Sequence, residues 1–471
     1  MRDKGVYIYE GDVQELFLKA SDTLNSVVEH TLGPNGTNTA IPTSNDFLSI
    51  INDGKSIIER LSSDDKALRS AMNTLKESSL ATNKNASDGT TSSIVLQNRL
   101  LHSINDCNRY IRTAKIDSTY LNELKETLLE RLKSFKKEIK TPEELKNVIT
   151  VSLGGNTYTD LVYSAFENLS ISQKPALVKT DSISNVAVDF IDGINLSDIE
   201  INPVALRYMP LSVSEPVNVV IIKQQVSRID NAFAALLNKL SKSNNKTILI
   251  YTEIMPSVMD QILFNIQEGG LSVVPVQLRL HPDQFDDVIA ELGRYFNCNV
   301  IDDLNPYQTC YNDDSIIGKG TGYILNKGSI VIKNINDEYE SEILPAKSSV
   351  INVGFTTFSQ QDELYKRLED AIGSTYNARN TGYVLGAGYT YFCLGATLDS
   401  DDFRESYIKD ALSYLFKYFS NCDDEPMKML DYIDYVEKNV YDSYKVAEQV
   451  ILNSFTVVSQ VLSTEYVLVE Y

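Results

Sequence analysis

The stretch Asp88-Gly89-Thr90-Thr91-Ser92 constrains this chain most, because a helical pattern begins inside it. Ile94, Val95, Leu96, Leu100, Leu101 and Ile104 follow at near-helical spacing. Free backbone N–H groups at a helix start attract anions, and the hydroxyl run adds donors. A carboxylate beside such a nest repels phosphate unless a hard cation lies between them. Mg2+ does this, taking oxygen ligands from one or two carboxylates and from substrate phosphates. Two readings stay open on these residues alone: a capped helix behind a polar loop, or a Mg-nucleotide site.

Two comparable turns precede it. Val13, Leu16, Phe17, Ala20, Leu24, Val27 and Val28 mark one face of an amphipathic helix. Thr31-Leu32-Gly33-Pro34-Asn35-Gly36 stops that helix with a Gly-Pro break. A hairpin-like segment through Thr39–Ile41 and Phe47–Ile51 then leads into Asn52-Asp53-Gly54-Lys55-Ser56 and a helix from Ile57 onward. A further helix, marked by Leu68, Ala71, Met72 and Leu75, ends just before Asp88. Before the first helix, Val6–Tyr9 is apolar enough for a short strand.

Charge limits the partners. Of 471 residues, 43 are basic and 64 acidic, a net charge of −21. That argues against nucleic acid, which needs a basic face. No run of about 18 apolar residues is present, which argues against a membrane span, and the start lacks the apolar core of a signal peptide. Five scattered cysteines read as reduced thiols of a cytoplasmic protein. The histidines, His30, His102 and His281, are too far apart in sequence to suggest a metal site. The length prior is about three domains.

The middle of the chain reads as α/β. Strand-like runs Val217–Ile222, Thr247–Tyr251 and Leu271–Val276 alternate with helical runs Ser227–Leu240, Ser257–Ile266 and Gln284–Phe296. The alternation predicts βαβ units and a partly parallel sheet.

Taken together, Thr31-Leu32-Gly33-Pro34, Asn52-Asp53-Gly54 and Asp88–Ser92 resemble the nucleotide site of the GroEL-type (group I) chaperonins. The C-terminal part carries the matching pieces. Asp370-Ala371-Ile372 with Gly382–Gly388 looks like the family's aspartate helix and glycine turn. Asn421–Pro426 and Val440–Val446 resemble two further segments, and a helix from Ala447 to Leu462 with a strand at Tyr466–Val469 closes the chain. The resemblance implies nested insertions. An all-α nucleotide-binding (equatorial) domain would be 1–134 with 382–471, a small α+β intermediate domain 135–192 with 354–381, and an α/β apical domain 193–353.

The implied activity is an ATPase that drives protein folding. ATP and Mg2+ are implied, with K+ a further ion. Asp88 would hold the metal. Thr31, Leu32, Gly33, Pro34, Gly54, Gly89, Thr90, Thr91, Ser92, Gly386, Ala387 and Gly388 would contact the nucleotide, and Asp442 would accept from the ribose. Asp53 and Asp370 would position the attacking water, Asp370 arriving by a closure motion. Phe233, Leu236, Met259, Leu263 and Phe264 are the client-groove residues. Gly193 and Gly354 are the hinges. The implied partners are non-native polypeptides, copies of the chain in a seven-membered ring, and a lid co-chaperonin, in a bacterial or phage-infected cytoplasm. The Asn, Ser, Tyr and Ile content fits an A/T-rich genome such as that of a large bacteriophage.

The chain also departs from the family. The helical hairpin expected after Gly318–Asn334 is replaced by a brief Glu338–Lys347 link, and the adenine side between Pro426 and Val440 is short. Ala387 replaces a glycine, Asn52 a lysine, and Val204 and Ala205 a pair of aromatic groove residues. Gly318-Lys319-Gly320-Thr321-Gly322 reads as a flexible turn, since it lacks Walker A spacing. Two alternatives follow: a nucleotide-regulated holdase or scaffold with little folding activity, and a P-loop or kinase-type phosphotransferase, which the missing Gly-rich-Lys-Ser/Thr motif disfavours.

Overall fold

The structure, a computed structural model, describes residues 6–9, 11–33, 36–42, 48–51, 53–110, 115–167, 169–171, 173–180, 186–196, 199–279, 282–302, 313–325, 328–334, 339, 341, 343–344, 346–354, 357–399, 401–420 and 426–470. The chain forms two compact units, Met1–Tyr163 with Thr356–Tyr471, and Ser164–Phe355. Pro34, Asn52 and Asn421–Glu425, all named above, lie outside the described residues, as does part of the Glu338–Lys347 link.

In chain order, β1 (Val6–Ile8), α1 (Val13–Val28), β2 (Thr39–Pro42), β3 (Leu48–Ile51), α2 (Gly54–Arg60), α3 (Lys66–Ala86), α4 (Thr90–Tyr110), α5 (Ser118–Leu132), α6 (Pro142–Leu153) and α7 (Thr159–Glu167) come first. The middle holds β4 (Ala176–Lys179), β5 (Val186–Leu196), β6 (Ile199–Ile201), α8 (Pro203–Tyr208), β7 (Ser212–Val213), β8 (Val217–Ile222), α9 (Asn231–Ser241), β9 (Thr247–Tyr251), α10 (Pro256–Gln267), β10 (Val273–Leu278) and α11 (Pro282–Phe296). It ends with β11 (Gly318–Gly320), β12 (Gly322–Leu325), β13 (Ile330–Lys333) and β14 (Lys347–Val353). The return stretch is α12 (Phe358–Thr381), β15 (Tyr383–Leu385), α13 (Tyr389–Ala396), α14 (Phe403–Ser420), α15 (Pro426–Asn439), β16 (Tyr441–Ser443), α16 (Tyr444–Ser463) and β17 (Leu468–Glu470).

The first unit is a helical body whose core draws on both ends of the chain. Leu24, Leu75, Leu100 and Leu128 share one apolar cluster with Leu412, Val450 and Phe455. Local chemistry starts its helices. Asp12 accepts from the N–H groups of Gln14 and Glu15, and Asp65 from those of Ala67 and Leu68. Thr141 and Glu144 close a capping box on α6, with Pro142 in its first turn. Polar bonds tie α16 to α3 and α4: Ser78 donates to the Asn453 carbonyl (2.8 Å), Asn453 to Thr82 Oγ1 (2.9 Å) and Ser454 to the Ser93 carbonyl (3.2 Å). The first and last strands pair antiparallel, Val6 with Glu470.

The second unit is built on a five-stranded sheet, ordered β11-β8-β9-β10-β6, with β8, β9 and β10 parallel. Every residue of β8 and β9 is buried, as expected for strands covered on both faces. A six-stranded sheet, β4-β14-β5-β13-β12-β7, accompanies it. Gly318–Gly320 is strand β11, paired with Val217–Val219 at the sheet edge, and not the flexible turn its composition suggested. Gly193 lies inside β5 and not in a hinge turn. A Cβ there would stand 2.6 Å from the Ile332 carbonyl, so close approach of β13 accounts for the glycine. Among the described residues no helix is long and apolar enough to cross a membrane.

Candidate functional site

Asp88 sits between two helices of the first unit. Ser87 ends α3 in a left-handed conformation (φ 63°), and α4 starts at Thr90. Gly89 turns the chain at φ 89°, where a Cβ would press on Val446 and Val450 of α16 at 3.0 Å. The Gly89 N–H donates to Asp88 Oδ1 (2.6 Å) and the Ser152 hydroxyl to Oδ2 (3.4 Å). Burial pushes the Asp88 carboxyl up; these two donors oppose the shift and the Asp53 charge adds to it.

Asp53 caps α2, accepting from the Lys55 and Ser56 N–H groups (3.1 Å each) and from the Ser56 hydroxyl. Gly54 follows it because the Thr91 hydroxyl occupies the place of its missing side chain. The two Asp-Gly turns are thereby packed together.

Asp370 lies on α12, within the same unit. Burial raises its carboxyl well above the ordinary range, Asp88 and Asp53 push it further, and Lys55 and the Asn83 amide oppose (Nδ2 to Oδ1 3.5 Å). The helix is held there by Asn377, which donates to the Ala86 carbonyl (2.9 Å), and by Lys366, which donates to Ser56 Oγ (3.0 Å). In this structure Asp370 lies close enough to Asp88 and Asp53 for their charges to act on it.

Asp442, in β16, is raised to about 7, by burial first and the Asp88 charge second. Its carboxylate also lies 3.0 Å from where a Gly386 side chain would begin. Asp88 and Asp442 line one small cleft with Val148, Ser152, Ser374, Tyr441, Ser443 and Val446. Burial first, and then the Asp442 and Asp88 charges, hold the Tyr391 phenol well above its usual range. Ala387 adopts φ 50°, a left-handed conformation unfavourable for a residue with a Cβ, between Gly386 and the left-handed Gly388.

The structure therefore brings Asp53, Asp88, Asp370 and Asp442 into one electrostatically coupled group, with Gly54, Gly89, Thr91 and Gly386 around it. Thr90 Oγ1, Ser374 Oγ and Ser443 Oγ are buried without a hydrogen-bond partner among the described residues. Orphaned donors beside carboxylates suit a cation-bridged oxyanion, so the residues fit a Mg-nucleotide. Among the described residues no three acidic, His or Cys side chains gather as an all-protein metal cage. Ser92 is half-buried at the start of α4.

Thr31 and Leu32 are half-buried, the Thr31 hydroxyl donating to the Val28 carbonyl (2.7 Å). Gly33 turns at φ 75°, with the Phe419 ring 2.7 Å from its Cβ position. Sequence reasoning missed Ser152, Ser374 and Ser443. Ser374 was detectable, being one helical turn after Asp370 on the same face.

The five client-groove residues belong to the second unit, and most do not face solvent. Phe233 and Leu236 are 0% exposed and pack in the sheet core; Met259 and Leu263 are also buried. An apolar face against the sheet, and not an open groove, explains these four. Phe264 alone is open, at 59%.

A model of the TCP-1/cpn60 chaperonin family matches residues 24–282. The mitochondrial chaperonin CPN60 of Plasmodium falciparum is 24% identical over 417 residues, 82% of this chain and 58% of that protein. The chain thus spans less than two thirds of that relative. The chaperonin GroEL of Mycoplasma genitalium is 22% identical over 439 residues, 85% of this chain and 79% of that protein. Among solved structures, chaperonin gp146 from the bacteriophage EL 2 (Pseudomonas aeruginosa), crystallised in the presence of ATP-BeFx, covers 98% of each chain with a TM-score of 0.73 and 13% identity. The chain belongs to the TCP-1/cpn60 chaperonin family, of which it is a divergent GroEL-type member.

Proposed function

We propose that this chain is an ATP-dependent chaperonin that binds non-native proteins in a homo-oligomeric ring and assists their folding. One observation carries the reading: four carboxylates from distant parts of the chain converge at the start of α4. Such a cluster is unfavourable until a cation neutralises it. Asp88 would hold Mg2+, which supplies charge neutralisation for phosphoryl transfer when bound. The Gly89 turn and the hydroxyls of Thr90, Thr91 and Ser92 bind phosphoryl oxygens. Thr31–Pro34 and Gly386–Gly388 line the nucleotide, and Asp442 accepts from the ribose hydroxyls. Asp53 and Asp370 orient the attacking water; a raised Asp370 carboxyl suits a group that accepts a proton during the reaction. K+ is a further ion for the same site.

The three-part division stands as part of this proposal, with 135–192 and 354–381 as the moving piece, Gly354 at one of its ends, and a cytoplasmic setting. For clients, Phe264 is retained as a contact, joined by the exposed Tyr208, Leu211 and Met255 of the same unit. A lid co-chaperonin and a seven-membered ring are carried by resemblance.

Asp370→Ala is expected to keep nucleotide affinity while hydrolysis falls about tenfold or more. Asp88→Ala is expected to lose Mg-nucleotide binding in isothermal titration. Unchanged turnover in the first variant would remove Asp370 from its role. ATP binding without turnover in the unmodified protein, or no rescue of an aggregating client, would favour the holdase reading. Electron micrographs with and without ATP test the ring.

A further inference from the structure

We propose that Ser374 and Ser443 are additional donors to a phosphoryl oxygen of the nucleotide, a role that rests on the nucleotide reading above. Both line the cleft that Asp88 and Asp442 share. Their side chains are sealed from solvent, at 2% and 1% exposure, and neither hydroxyl has a hydrogen-bond partner among the described residues. A buried hydroxyl left unpaired is costly to a fold. Two of them on different elements around one cleft indicate a ligand that accepts hydrogen bonds.

Their positions support this. Ser374 is one turn beyond Asp370 on α12, so both residues occupy the same helix face. Ser443 immediately precedes α16, where a serine ordinarily accepts from the first N–H groups of the helix; its hydroxyl makes no such bond here. Ser152, the third serine of the cleft, is already donating to Asp88. A helix start favours negative charge, and Val446 in the first turn of α16 lines the same cleft. The ligand is therefore an oxyanion whose charge would be offset by a cation held at Asp88, which fits a nucleotide phosphoryl group. No bond is made or broken by either serine; each contributes one hydrogen bond.

The test uses the full-length protein with Ser374→Ala, Ser443→Ala and the double variant, titrated calorimetrically with Mg-ADP, adenosine and Mg2+ alone. Thermal unfolding without nucleotide is measured in parallel. Each single change is expected to weaken Mg-ADP binding about fivefold, and the double change more. Adenosine affinity should not move, and the nucleotide-free melting temperature should stay level or rise, because an unpaired buried hydroxyl has been removed. Mg-ADP affinity within about twofold of wild type in the double variant overturns the proposal. So does a lower nucleotide-free melting temperature, which would mean the hydroxyls hold the fold together. Weaker adenosine binding, or weaker binding of Mg2+ alone, overturns it as well. If the unmodified protein itself binds no Mg-ADP, the nucleotide reading falls and takes this one with it. If it binds and the serine variants bind Mg-ADP as tightly, this proposal alone falls.

Discussion

Gly373 packs directly on Ser87: a Cβ on the glycine would overlap the side chain of the serine. That contact sets the distance between α12, which carries Asp370, and the turn that carries Asp88. Any side chain at residue 373 must push the two apart. Gly373→Ala is expected to lower turnover about tenfold with a smaller effect on nucleotide affinity, and to cost about 1–3 kcal/mol of stability as an overpacked contact. Ser87 has φ 63°, which glycine adopts freely. Adding Ser87→Gly is therefore expected to restore turnover in the double variant. Steady-state hydrolysis and urea unfolding of the four proteins check this.

Asp442 makes stability depend on pH. Its carboxyl is raised to about 7, whereas in the unfolded chain it releases its proton near about 4. Between those values the folded chain keeps a proton that the unfolded chain has lost. The stability this group contributes is thus full at low pH and falls as pH rises toward 7, then levels off. Asp88 and Asp370 are raised too and act in the same direction. In metal-free buffer the melting temperature is expected to drop from about pH 5 to about pH 7.5, and Asp442→Asn should flatten part of that slope. Thermal scans across the range decide it.

Gly54 and Thr91 lock the two Asp-Gly turns together. Gly54→Ala forces the Thr91 hydroxyl out of place. Mg-nucleotide affinity is expected to fall about tenfold, with a stability loss of about 1–3 kcal/mol. Titration calorimetry separates this from a loss of folding, which circular dichroism would report.

The apolar residues of the second unit divide by exposure. Phe264→Ser is expected to reduce capture of an unfolded client while leaving the melting temperature unchanged, since the ring is already in water. Phe233→Ala should instead cost about 3–5 kcal/mol by opening a cavity in the sheet core. Light scattering of an aggregating client, with thermal unfolding alongside, distinguishes the two effects.

Much of the architecture was legible because the local code is explicit. Val217–Ile222 and Thr247–Tyr251 are strands with the bounds their apolar runs suggest. Asp53 and Asp88 both precede helices, as their positions before Gly and hydroxyl residues imply. Periodicity could not say which partner an apolar face meets. Phe233 and Phe264 both lie on apolar helices, yet one closes the sheet and the other faces water. Glycine was ambiguous for the same reason. Gly193 looked like a hinge and is a strand residue pressed by a carbonyl from β13, while Gly318 and Gly320 looked like a loop and form an edge strand.

The sequence by itself determined the elements and the identity of the acidic residues, because capping, turn chemistry and hydrophobic period act over a few neighbouring positions; the nested order came from the family resemblance. Only the tertiary structure decided that Asp53, Asp370 and Asp442 all act electrostatically on or with Asp88, and that Ser152, Ser374 and Ser443 join Asp88 and Asp442 in one cleft. Charge repulsion and burial depend on distance through space, and packing of α12 on Ser87 sets that distance for residues hundreds of positions apart in the chain.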